Sequence, residues 1–211
     1  MEFHEVMKQR RSVNFFDPKK EVSEALLKEV IETAAMTPSG FNLQPWSLVA
    51  LRKFGEKERL KKLAWNQPKV TEAPVVLIVL ADRDAWKEGH PIVEQNFSEM
   101  VKSGAMKEEQ RQWFADARTS LYGETPEKQQ AFACKNTGFF AMSLMLAAKD
   151  LGLETHPMDG FDHDGVRKAF NIPDNFWIPL LLAVGYVGDD FKMAPPKWRR
   201  RAEDILVTFE S

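Results

Sequence analysis

Apolar residues recur along this chain at two spacings, and each predicts an element. Residues 75–80 are an unbroken apolar run rich in β-branched side chains, which predicts a strand buried on both faces. Residues 179–187 predict a second buried strand, 47–51 a short one, and 205–209 alternate like an edge strand. Helical spacing governs Leu26, Leu27, Val30, Ile31 and Ala34, with Ser23 placed to cap the helix and Pro38 to stop it. Short helices are predicted over 3–9 and 166–170, and a charged surface helix over 56–64. The strongest helix runs from Pro126 to Asp150, apolar around most of its circumference between Ala131 and Ala148, with Gly152 as its C-terminal cap. Such a helix is buried in the core or against a partner chain. Residues 82–125 are polar and aromatic with weak helical pattern, and the tail over 190–201 is proline-rich and basic. Strands mixed with helices predict an α+β fold.

Composition narrows the function classes. The chain has 211 residues, 29 Lys plus Arg against 31 Asp plus Glu, and a net charge of −2. That balance argues against a nucleic-acid binder working by bulk positive charge. The single cysteine, Cys134, excludes an internal disulfide and suits a reducing compartment. The most apolar stretch, 139–148, is about half the length of a membrane span, and the first residues have no targeting pattern. The expectation is a cytoplasmic protein with no membrane partner. His4, His90, His156 and His163 show no metal-ligand spacing. Cys134 reads as core rather than nucleophile, and no Gly-x-Gly-x-x-Gly, Walker loop or nucleophile elbow occurs.

Candidate chemistry gathers in separate clusters. Arg10, Arg11 and Ser12, with Asn14 following, offer the guanidinium forks and hydroxyl that a phosphate dianion needs. Pro38, Ser39, Gly40, Asn42 and Gln44 form a proline-flanked loop whose amides can read the edge of a heterocycle. Lys197 and Arg199 add cations near the other end of the chain. Each also has a plainer reading: solvated charge for the arginines and the basic tail, and an ordinary turn for Ser-Gly-Phe-Asn. Trp86, Trp113, Phe114 and Tyr122 read as a satellite core or as an aromatic lid.

Taken in order, these blocks resemble the nitroreductase family of flavin-dependent NAD(P)H oxidoreductases. The resemblance is carried by Arg10-Arg11-Ser12, by the loop from Pro38 to Trp46, by Asn66-Gln67-Pro68-Lys69, by Pro157-Met158-Asp159-Gly160-Phe161-Asp162, and by Gly185-Tyr186 with Lys197 and Arg199. It spans nearly the whole chain and is weakest over 82–125. It implies one domain over 1–211 with 82–125 as a variable helical insertion that covers the active site. It further implies an α+β fold with a central mixed or antiparallel sheet flanked by helices, and an intertwined homodimer with C-terminal strand exchange. Two FMN sites would lie at the subunit interface, with NAD(P)H as transient reductant.

Carried over, Arg10, Arg11, Ser12, Lys197 and Arg199 would serve the phosphate and ribityl end of FMN. Pro38, Ser39, Gly40 and Asn42 would reach in from the second subunit, with Gln44 beside them. Asn66 and Lys69 would face the pyrimidine edge. Met158, Asp159 and Gly160 would line the ring, the backbone amides of Asp159 and Gly160 lying near N5 and O4. Many relatives have a cation at the position of Asn14, so a lower reduction potential is expected here. The implied activity is hydride transfer from NAD(P)H through flavin N5 to nitroaromatics, quinones or similar acceptors by a ping-pong mechanism, with no side-chain nucleophile. Flavin or enone reduction, dehalogenation, or flavin binding without turnover are the alternatives.

Overall fold

The computed structural model describes residues 1–188 and 191–209. The first helix, α1 (Phe3–Gln9), is followed by α2 (Glu24–Ala34), whose first turn is capped as its sequence predicts: the Ser23 side chain accepts from the Leu26 N–H. The chain then crosses a short 3₁₀ turn (Gly40–Asn42) into β1 (Trp46–Leu51). Next come α3 (Phe54–Leu63), α4 (Lys69–Glu72) and β2 (Val75–Asp82). The 82–125 stretch holds α5 (Pro91–Lys102) and α6 (Arg111–Arg118), which runs on into a wider helical turn (Thr119–Gly123). Then follow α7 (Pro126–Asp150), β3 (Glu154–Met158), α8 (His163–Ala169), β4 (Phe176–Gly185) and α9 (Ala202–Ile205).

The four strands form one antiparallel sheet in the order β1-β2-β4-β3. Central strand β2 is buried along its whole length. Its residues alternate between two cores, as period-two geometry requires. Val76, Ile78 and Leu80 pack with Leu60, Val70, Val166 and Met158 under α3, α4 and α8. Val75, Leu77 and Val79 pack with Val30, Phe140 and Leu144 under α2 and α7. A third core, with Phe97, Phe114, Phe132 and Leu43, joins the 82–125 helices to the loop before β1. Arg118, 1% exposed, pins these helices by donating to the carbonyls of Phe114 and Trp86 and to Glu88.

Three sequence expectations change. The 205–209 stretch is not a strand: α9 ends at Ile205, and residues 206–209 are exposed without sheet partners. A strand exists only against a hydrogen-bonding neighbour, and among the described residues no strand of the sheet pairs with that segment. Strand β3 was not expected, because Glu154, His156 and Pro157 break its apolar alternation. Finally, α7 is buried within its own chain on one face only, and the other is the face that the partner-chain alternative would cover. Asn136, Phe140 and Leu144 face inward, whereas Gly138 and Phe139 are exposed, with Met142 and Leu146 half-buried. Composition and length would let α7 span a membrane, yet 56% of its apolar window is buried within this fold. Position 190, the start of the basic tail, lies outside the described residues.

Candidate functional site

The cationic segments of both chain ends come within electrostatic reach of each other near the β3 edge. Past α1 the chain runs alongside β3, with Ser12 bridged to Thr155 in parallel and the Val13 N–H donating to the Thr155 carbonyl at 3.1 Å. This places Arg10 and Arg11, both half-buried, at the sheet edge, with Ser12 and Asn14 exposed beside them. Arg10's guanidinium pKa is lowered, first by burial, then by the like charges of Arg199 and Arg11. Cations 189 positions apart in sequence are thus electrostatic neighbours. Arg11 Nη1 donates to the Arg10 carbonyl at 2.9 Å, while its Nε is buried without a partner among the described residues. Like charges held together over an unsatisfied donor are what an anion site requires before its anion arrives. Arg199 meanwhile donates to the carbonyls of Lys197 and Trp198 in its own exposed segment.

The α3–α4 loop brings the next group. Trp65 and Asn66 both take left-handed backbone (φ 51° and 55°), a conformation L residues adopt at a cost. Lys57 clamps the far end of α4, its buried Nζ donating to the Ala73 carbonyl at 2.6 Å. Lys69, first residue of α4, is half-buried, and burial lowers its pKa while Glu72 opposes the shift. Its Nζ lies 3.2 Å from His156 Nε2 on β3.

Gly160 follows β3. A Cβ on it would lie 2.6 Å from the Trp65 ring, so any larger residue here would push the exposed indole off this backbone. Gln67 Nε2 donates to its carbonyl at 3.0 Å. Within the same block Phe161 is buried core, and Asp162 caps α8 through the Gly165 N–H. Asp159 is exposed, but the Met158 side chain is 2% exposed and belongs to the sheet core. Met158 is therefore buried as a whole residue, and the exposed main chain begins at Asp159.

The Pro38–Gln44 loop lies elsewhere. Phe41, Asn42 and Gln44 are left-handed (φ 49°, 55° and 42°), a second concentration of strained backbone. Asn136 accepts from the Gly40 N–H, Asn96 donates to the Phe41 carbonyl, and Ser39 Oγ accepts from the Gln44 N–H. Trp46 stacks on Phe140 at 4.8 Å, so the loop's last residue is structural. Pro38 and Asn42 are exposed; Ser39, Gly40 and Gln44 are half-buried.

Register shows how far apart the two halves stand. Trp46 aligns through Ala81 with Trp177, whereas Thr155 aligns through Val184 with Val75, at the other end of β2. The loop leading into β1 and the Arg10–Ser12 segment beyond β3 occupy opposite corners of the sheet. Six residues along the strands and four strand spacings across them put roughly 25–30 Å between those corners. Within one chain the two groups do not come together.

Several residues gathered here carried no signal of their own in the sequence. His156 was one of four histidines without metal spacing, and Gln67 and Trp65 carried no separate signal; the clue available was their adjacency to Pro157-Met158 and to Asn66. Of the aromatics singled out over 82–125, Phe114 is core, Trp86 packs against it, Trp113 is 56% exposed, and Tyr122 packs on Gly40. Cys134 is half-buried with its thiol pKa raised by burial, as a core residue's would be.

The family model for the nitroreductase family matches residues 7–186. An NADH dehydrogenase of Thermus thermophilus is 34% identical over 182 residues, covering 86% of this chain and 84% of that protein. Among solved structures, a protein of Exiguobacterium sibiricum in complex with FMN superposes with a TM-score of 0.83 at 27% identity, covering 98% of this chain and 96% of its own. A nitroreductase family protein of Streptococcus pneumoniae does so with a TM-score of 0.78 at 28% identity, covering 98% and 100%.

Proposed function

Given that the chain belongs to the nitroreductase family, and is accordingly an oxidoreductase enzyme of α+β fold, we propose that it binds FMN between two copies of itself. In this reading it uses the flavin to reduce nitroaromatic, quinone or similar electrophilic acceptors at the expense of NADH or NADPH. One observation carries the proposal. Arg10 and Arg199, with Arg11 beside them and Lys69 and Lys197 both acting on His156, gather on one open shelf next to Gly160. The donor set fits FMN. A phosphomonoester carries roughly −1.5 to −2 charges near neutral pH, and the unsatisfied Arg11 Nε and the crowded Arg10 guanidinium are the groups such an anion relieves.

Arg10, Arg11, Ser12, Lys197 and Arg199 bind the phosphate and ribityl end. Asn66 and Lys69 hold the pyrimidine edge, with Asn14 nearby as an uncharged donor. The main chain of Asp159 and Gly160 lines the ring and supplies N–H donors, with Met158 buried beneath them. When bound, flavin supplies two-electron hydride chemistry, and the protein supplies position and field. The strained loop at the opposite sheet corner supports a two-copy site: Pro38, Ser39, Gly40, Asn42 and Gln44 of a second chain complete the pocket. The exposed Phe139 face of α7 and the exposed 202–209 segment form the contact between copies, the latter crossing to the other sheet. The 82–125 helices, anchored by Arg118 and touching Gly40 through Tyr122, cover the acceptor's side of the pocket. Donor and acceptor use the same pocket in turn, which gives ping-pong kinetics.

The experiment is a visible spectrum of the purified protein, then anaerobic addition of NADH or NADPH. Flavin bands that bleach with reductant and return on adding a quinone are expected. A colourless chain that takes up no FMN on reconstitution refutes the proposal.

A further inference from the structure

His156 stands between two segments of the shelf, and the chemistry of its partners assigns its tautomer. Nδ1 lies 2.8 Å from the Val13 carbonyl oxygen, which can only accept, so Nδ1 carries the proton. In the neutral ring Nε2 is then a bare lone pair, and it faces Lys69 Nζ, which can only donate, at 3.2 Å. The ring is kept neutral by burial first and by the charges of Lys69 and Lys197 after that, against the pull of the Val13 carbonyl. A second chain of bonds leaves the same ammonium: Gln67 Oε1 lies 3.4 Å from Nζ, and Gln67 Nε2 donates to the Gly160 carbonyl at 3.0 Å. Val13, Lys69 and Gly160, from three separate segments of the shelf, are therefore joined through His156 and Gln67 with every donor direction fixed.

We propose that His156 is a positioning residue, taking the Lys69 ammonium on its Nε2 lone pair and holding that charge at one place on the flavin-binding shelf. This rests on the flavin reading above. A lysine is a point charge on a flexible stem, and the field it exerts falls with distance. Unless something accepts one of its protons, its mean position drifts towards solvent. The imidazole supplies the acceptor, and the Val13 carbonyl stops the ring from turning over. A cation so held favours the anionic reduced form of a flavin over the neutral oxidised form. The role of His156 is thus in the balance between these forms rather than in holding FMN.

The test uses the FMN-loaded protein and two substitutions. His156→Asn keeps an N–H for Val13 but has nothing at the Nε2 position; His156→Gln places an oxygen acceptor there. His156→Asn should lower the two-electron potential by about 30 mV, the equivalent of a tenfold loss in preference for reduced over oxidised FMN, with the affinity for oxidised FMN little changed. His156→Gln should recover most of the shift, and His156→Asn should have no effect in a Lys69→Met background. Equal potentials for wild type and His156→Asn overturn the proposal. Should His156→Asn fail to fold, ¹⁵N NMR of the FMN-free chain decides: a protonated Nδ1, and an Nε2 resonance that moves on Lys69→Met, are expected. A protonated Nε2, or one indifferent to Lys69→Met, overturns it. A chain that takes up no FMN refutes the flavin reading and this role with it, and the NMR result then records the pair as structural.

Discussion

The Tyr122 hydroxyl lies so close over Gly40 that a Cβ built on that glycine would stand 2.6 Å from the oxygen and 3.3 Å from the ring. Tyr122 is stacked on Phe132 at 4.2 Å and meets Phe41 edge-on, so it has little room to retreat. The contact ties the 82–125 helices to the strained loop before β1. Gly40→Ala should destabilise the chain by about 1–3 kcal/mol, the usual range for overpacking. Tyr122→Phe should recover part of that loss in the double variant. Urea denaturation of the single and double variants measures both, and an unaltered midpoint for Gly40→Ala would show that the ring moves freely.

Arg10 and Arg199 repel in the chain without an anion, and the proposed phosphate would relieve that repulsion. Arg199→Ala should leave the FMN-free chain at least as stable as wild type. It should weaken FMN roughly 10- to 100-fold, the range for losing a charged hydrogen bond. Riboflavin, which has no phosphate, should lose little. Fluorescence titration of both flavins checks this, and an equal loss for the two would place Arg199 away from the phosphate.

Acid should destabilise the fold through two histidines. The pKa of His156 is lowered by burial and then by Lys69, and that of His163 by burial above all. Below about pH 6.5 the unfolded chain binds protons that the folded one refuses. Stability from these groups is therefore complete above about pH 6.5 and is lost as pH falls from there towards the folded-state values. His156→Gln and His163→Gln should each flatten the slope between about pH 5 and 6.5. Chemical denaturation across that range measures it, and an unchanged slope in both variants would trace the acid sensitivity to other groups.

Phe139 is 51% exposed on a helix whose other face is core. On the proposed two-copy site, Phe139→Glu should leave the monomer folded, prevent dimer formation and release FMN. Sedimentation velocity and the absorbance of bound flavin report the two effects together. A charged variant that remains a yellow dimer would remove α7 from the interface.

The parts of this protein legible in its sequence are those governed by neighbours a few residues away. The buried run at 75–80, the Ser23 cap and the Pro126–Asp150 helix obey spacing and capping rules that act within a turn or a strand. The motif blocks could be read in the same way, as strings. Which of their residues face the shelf was decided only by the tertiary structure. Strand β3 forms because β4 offers it an edge, despite a sequence that includes Glu154, His156 and Pro157. That pairing buries Met158, leaves Asp159 exposed, and sets His156 between Val13 and Lys69. Arg10 finds Arg199 across 189 positions, and the loop at Ser39 ends at the opposite corner of the sheet from Ser12. Such relations depend on strand order and register, which are set by the burial of the whole sheet, so no local pattern in the chain encodes them.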